Sequence, residues 1–79
     1  MFNQLIVSLA NLGYVIIKNG NIELSVDGRL IVLEEFYDYL FNEIETLGFT
    51  ATPVQTELEG DSFKIVNDDN EFILNVIYC

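Results

Sequence analysis

The chain has 79 residues and a mass of 9.0 kDa, enough for one domain. Lys and Arg total 3 against 13 Asp and Glu, giving a net charge of −10, beyond the roughly 2–8 charges of either sign that small soluble domains carry. This balance excludes direct binding to a phosphate backbone, which needs clustered Lys and Arg, and a chain with one Cys and no His loses most metal and nucleophile chemistry.

In chain order, Phe2, Leu5, Ile6, Leu9 and Leu12 follow the i, i+3, i+4, i+7 spacing of an amphipathic helix. Gly13 reads as its C′ residue. The period then changes to two. Residues 14–18 are β-branched and aromatic and read as a strand, and Asn19-Gly20-Asn21 as a turn. Ile22, Leu24 and Val26 alternate with Glu23, Ser25 and Asp27, a strand with one buried face. Asp27-Gly28 carries a two-residue hairpin signal, so residues 29–33 are expected to return as a third, central strand. A second helix is expected over about residues 34–47, with Phe36, Tyr37, Leu40, Phe41, Ile44 and Leu47 on one apolar face. Glu34 and Glu35 sit in its first turn, where the helix dipole favours negative charge, and Gly48 closes it.

Residues 49–54 are less regular, and Pro53 restricts them to an edge strand or a loop. Residues 55–59 read as a short polar strand, 59–61 as a turn, 63–66 as a strand, 67–70 as a turn and 71–78 as the last strand. Phe72, Leu74, Val76 and Tyr78 face one way and Ile73, Asn75 and Ile77 the other. Two largely apolar faces place that strand centrally. The expected fold class is α+β: one domain over residues 1–79, with an antiparallel sheet of about five strands and two helices on one face, in the order α-β-β-β-α-β-β.

Residues 1–7 lack the basic stretch of a signal peptide. No apolar run reaches the roughly 18 residues of a membrane span. Cys79 has no second cysteine to pair with. The expectation is a cytoplasmic protein with a free thiol and no membrane partner.

The charge is uneven. Residues 1–22 carry Lys18 alone, and every acid lies beyond them. On the second helix, Glu35, Asp38, Asn42 and Glu45 share the face opposite the apolar stripe, with no basic residue at i+4. If residues 57–61 are extended, Glu57, Glu59 and Asp61 line one side at roughly 6.6–6.8 Å intervals, near the rise of every second phosphate on a DNA strand. Asp68, Asp69 and Glu71 add a third acidic group. Such faces most often serve solubility. Their combination in a short chain argues for more, because like charges destabilise the compact state.

Catalysis finds little support. Ser8, Ser25 and Ser62 have no His partner, and no Gly-rich phosphate loop is present. The oxygen-rich run 67–71 lacks the 12-residue calcium loop with its central Gly and final Glu. No cofactor or metal is expected. Tyr39, beside the acids, is a candidate interface residue, while Tyr37 reads as core.

The segments Phe2-Asn3-Gln4-Leu5-Ile6 and Gly13-Tyr14-Val15-Ile16-Ile17-Lys18, with Glu34-Glu35-Phe36-Tyr37-Asp38 in character, resemble the small acidic anti-CRISPR proteins of phages and mobile elements. One member of that group begins with a short helix running into an antiparallel three-stranded sheet. This chain departs from it by ending in strands where that inhibitor ends in a helical region. The resemblance implies a protein that occupies a basic DNA- or RNA-binding groove on a CRISPR effector.

The expected function is therefore a non-enzymatic acidic inhibitor that acts by nucleic-acid mimicry. Its partner is a basic nucleic-acid-binding protein, a CRISPR effector or similar nuclease, and a homodimer is left open. The candidate partner-binding residues are Glu35, Asp38, Tyr39, Glu45, Glu57, Glu59, Asp61, Asp68, Asp69 and Glu71. The alternatives are an antitoxin or immunity protein blocking a basic toxin, and a small structural or oligomeric phage protein with apolar contacts.

Overall fold

The computed structural model describes residues 2–29 and 32–78. The elements are α1 (Phe2–Ala10), β1 (Tyr14–Lys18), β2 (Asn21–Val26), α2 (Leu33–Thr46), β3 (Thr50–Val54), β4 (Asp61–Val66) and β5 (Glu71–Tyr78). The five strands form one sheet in the order β1-β2-β5-β4-β3. Every pairing is antiparallel except β2 with β5, which is parallel. The fold is α+β, with β5 central between β2 and β4, as its two apolar faces require.

Both helices cover one face. Phe2 of α1 meets Phe72 edge-on at a ring separation of 5.3 Å, and Tyr37 of α2 meets Tyr78 at 6.4 Å. Phe72 and Tyr78 lie on the same side of β5 by the two-residue period. Between helices and sheet lies a single core in which Leu5, Leu9, Leu40 and Ile44 pack on Ile22, Leu24, Ile65, Leu74 and Val76. A fully buried side chain of this kind contributes about 1.5–3 kcal/mol.

The sequence of elements is α-β-β-α-β-β-β, not the expected α-β-β-β-α-β-β. Of the strand expected over residues 29–33, Arg29 stands in a turn and Leu33 opens a helix. The Asp27 carboxylate accepts the Arg29 backbone N–H at 3.0 Å and the guanidinium at 3.0 and 3.1 Å. Gly28 is not among the positive-φ residues, so the geometry that a tight hairpin needs is absent. Val32 is the extended N-cap, and α2 begins at Leu33; Leu30 and Ile31 lie outside the described residues.

The fifth strand is supplied instead by residues 50–54. β3 pairs with β4 alone, an edge at which Pro53, lacking an N–H, is tolerated. At the end of α2, Phe49 N–H donates to Ile44 O and Gly48 N–H to Glu45 O, both at 3.0 Å, a Schellman closure with Phe49 and Ile44 both buried. Gly13, expected as a left-handed cap, serves differently. A Cβ there would stand 2.3 Å from Ser25 O, so glycine is required by the close passage of the chain against β2.

Candidate acidic docking surface

The outer stripe of α2 forms as its spacing predicts. Glu35, Asp38, Asn42 and Glu45 are exposed, while Phe36, Leu40 and Ile44 are buried beneath them. Tyr39 is 51% exposed on the same helix. The first turn carries Glu34 and Glu35 but no side-chain cap, so their attraction to the helix dipole substitutes for a capping hydroxyl. Glu43 turns inward and accepts a hydrogen bond from Ser8 Oγ on α1 at 3.3 Å.

Residues 55–59 are not a strand. They bend across the face of the sheet opposite the helices, so the evenly spaced row of Glu57, Glu59 and Asp61 does not form. A polar cluster holds the bend. Ser62 Oγ donates to Asn75 Oδ1 at 2.8 Å, Asn75 Nδ2 donates to Glu59 O at 2.9 Å, and the Thr56 and Ser62 hydroxyls are bonded at 2.9 Å. Ser62 and Asn75 are both buried, so these bonds satisfy groups that water cannot reach. At the end of the bend, Gly60 has φ +86 and a Cβ there would meet Val76 O at 2.0 Å.

Asp61, the first residue of β4, is fixed by two phenols. Tyr37 Oη donates to its carboxylate at 2.6 Å, and Tyr78 Oη bonds both that oxygen and the Tyr37 hydroxyl. Bonding by Tyr37, and then by Tyr78, holds the Asp61 carboxyl below its usual range. Burial raises both phenols, and the hydrogen bonds to Asp61 raise them further. No spacing or motif in the sequence points directly to this cluster. Its one trace is the alternation that puts Tyr78 on the helix-facing side of β5, within reach of Tyr37.

Asp68 and Asp69 lie at the other end of β4. Asn67 Oδ1 accepts the N–H groups of Asp69 and Asn70 at 2.9 and 2.6 Å, so that oxygen is consumed in shaping the turn. Asp68 and Asp69 line a shallow surface depression with Gly48 and Thr50, just beyond the end of α2. Glu71 bonds Lys64 at 3.5 Å. Among the described residues no three His, Cys, Asp or Glu side chains are grouped to hold a metal ion, and no helix is long and apolar enough to cross a membrane.

The structure therefore brings the α2 stripe, Asp61 and the Asp68–Asp69 turn to the helix-bearing side of the molecule, while Glu57 and Glu59 stand over the opposite face of the sheet. The first half of α2 reaches Asp61 through Tyr37, and its end adjoins Asp68 and Asp69. Glu57 and Glu59 stand on the bend that leads into Asp61. Glu71 is drawn to Lys64 and away from this belt. The ion pairs among the described residues are Arg29–Asp27 at 3.0 Å and Lys64–Glu71, which leaves 11 of the 13 carboxylates without a basic partner. Beside the belt, Glu45 stands at the rim of a groove floored by Phe41, Ile44, Phe49, Ala51 and Pro53. The chain matches no known family model, no curated protein and no solved structure.

Proposed function

We propose that this protein is a non-enzymatic acidic inhibitor that docks its α2 side on the Arg- and Lys-rich nucleic-acid groove of another protein, in the manner of an anti-CRISPR protein on a CRISPR effector. The observation that carries the reading is the concentration of unneutralised carboxylates on α2 and at both its ends. A belt of this kind raises the rate of encounter with a cationic groove, and Arg–carboxylate pairs that become desolvated slow release. The apolar groove under Glu45 suits the aliphatic stem of an Arg or Lys whose charged head reaches that carboxylate. Mimicry here rests on charge density along a helix, not on a regularly spaced extended row.

The test is inhibition of DNA cleavage by purified RNA-guided nucleases. Inhibition should weaken steeply with salt. Glu35→Lys with Asp38→Lys and Glu45→Lys should abolish it while the circular dichroism spectrum is kept. Glu57→Lys with Glu59→Lys probes the bend without disturbing the Tyr37–Asp61–Tyr78 cluster. Full inhibition by both variants would sink the reading. A basic toxin that the chain binds and neutralises with the same salt and charge dependence would support the immunity alternative.

A further inference from the structure

The flank formed by α1 and β1 is chemically unlike the acidic side. Its 22 leading residues carry Lys18 as their sole charge. β1 is an edge of the sheet. Tyr14, Ile16 and Ile17 on it are 63%, 40% and 54% exposed, and Val7 of α1 is 62% exposed. Natural edge strands are guarded by Pro, bulges or charges. The opposite edge, β3, has Pro53, whereas β1 has only Lys18 at its end.

The hairpin fixes which main-chain groups of β1 are open. Asn19 and Gly20 form a two-residue loop with φ +53 and +80, which makes Lys18 and Asn21 its closing hydrogen-bonded pair. Backbone groups alternate sides along a strand. Those of Tyr14, Ile16 and Lys18 thus turn to β2, and those of Val15 and Ile17 turn outward. The side chains sort in register with them. Val15 and Ile17 share a face with Leu24 and Ile22, and Tyr14, Ile16 and Lys18 share the face away from the helices.

We propose that β1 pairs antiparallel with β1 of a second copy about a two-fold axis through Ile16. Val15 then opposes Ile17 of the second copy, and the outward N–H and C=O groups of both bond across the axis. Tyr14 opposes Lys18 of the second copy, placing an ammonium beside an aromatic ring, and Ile16 meets its own counterpart. Faces match, so the two sheets continue into one with all four helices on one side, as an isologous contact demands. Charge selects a second copy at this edge. Two molecules of net charge −10 meet a row of unpaired carboxylates in approaching along α2, whereas here each β1 brings one Lys and no acid, and the nearest carboxylate is Glu23, one strand back on β2.

Sedimentation equilibrium of the full chain, with reductant present so that Cys79 cannot crosslink, should return twice the 9.0 kDa chain mass at high micromolar concentration. Ile16→Lys puts the new ammonium opposite Glu23 within the protomer and opposite its own copy across the axis. The mass should fall to that of one chain with an unchanged circular dichroism spectrum. Independently of any variant, the Val15 and Ile17 amides of the wild type should exchange about tenfold more slowly at high than at low concentration. A single-chain mass for the wild type overturns the proposal, as does concentration-independent exchange of those amides. A dimer that survives Ile16→Lys also overturns it, because the contact then lies elsewhere. Salt should strengthen this association and weaken docking to a basic partner, so failure of one reading is distinguishable from failure of the other.

Discussion

Two phenols converge on one carboxylate at the start of β4, and the consequences for pH follow from the direction of each shift. The Asp61 carboxyl titrates below its ordinary 3.8 because its charged form is hydrogen-bonded in the fold. Its contribution is therefore present above that value and lost as pH falls through the lowered one. Tyr37 and Tyr78 titrate above 10, where burial and Asp61 favour the neutral phenols. Their contribution is complete below pH 10 and declines as pH rises further. Asp61→Asn should thus remove part of the acid-side loss and leave the alkaline loss from burial, measured as urea midpoints at about pH 3, 7 and 11. At neutral pH, Tyr78→Phe removes a hydrogen bond to a charged but exposed acceptor, so its cost is about 1 kcal/mol, a fall in Tm of about 4–8 °C. Gly60→Ala should cost more than Tyr78→Phe. Its Cβ would meet the Val76 carbonyl and its φ is positive, two penalties that relaxation of the bend cannot relieve together.

At the scale of elements, the bend over residues 55–60 is held against the sheet by Asn75 and Ser62, not by apolar burial. Leu58 within it is 56% exposed. Asn75→Ala would take the side-chain donor from the Glu59 carbonyl and leave the Ser62 hydroxyl with Thr56 alone, at about 1–2 kcal/mol, and release the bend. Amide exchange of residues 56–60 should accelerate while that of β2 and β5 stays at the global rate; equal acceleration everywhere would show that the cluster holds the sheet and not the bend. This is also where reading from the sequence reached its limit. α1, β1, β2, α2, β4 and β5 are legible because each carries an apolar face with the correct period. Residues 29–33 misled because a short apolar run suits a strand or a helix start equally, and the Asp27–Arg29 contact decides between them. Residues 57–61 misled because alternating acids resemble a strand, yet with no apolar face nothing pins them into one. The acidic character of the candidate surface was legible in composition. The approach of α2 to Asp61 at one end and to Asp68 and Asp69 at the other was not, because that follows from β5 inserting between β2 and β4, a choice made by long-range pairing.

For the whole molecule, the topology separates charge. The α1–β1 flank is nearly neutral, and most of the unpaired acids lie on α2, on the bend before β4 and at the ends of β4, with Glu23 of β2 apart from them. α2 is about 21 Å long, so at about 0.01 M ionic strength, where the screening length is about 30 Å, its carboxylates repel one another and those at both its ends. At about 0.15 M that length falls to about 8 Å, and the repulsion becomes local. Sodium chloride over this range should therefore raise Tm by several degrees, a direction opposite to that of a fold held by surface ion pairs. Neutralising the outer stripe with Glu35→Gln, Asp38→Asn and Glu45→Gln should raise Tm at low salt and shrink the salt response. The same triple variant should weaken docking to a cationic groove. A stripe that served only to keep the domain dissolved would show the stability gain without the binding loss. Finding both in one variant, by thermal melts and by inhibition at matched salt, is the result that a docking surface requires, because the repulsion tolerated in the free protein is what complementary charge in the complex relieves.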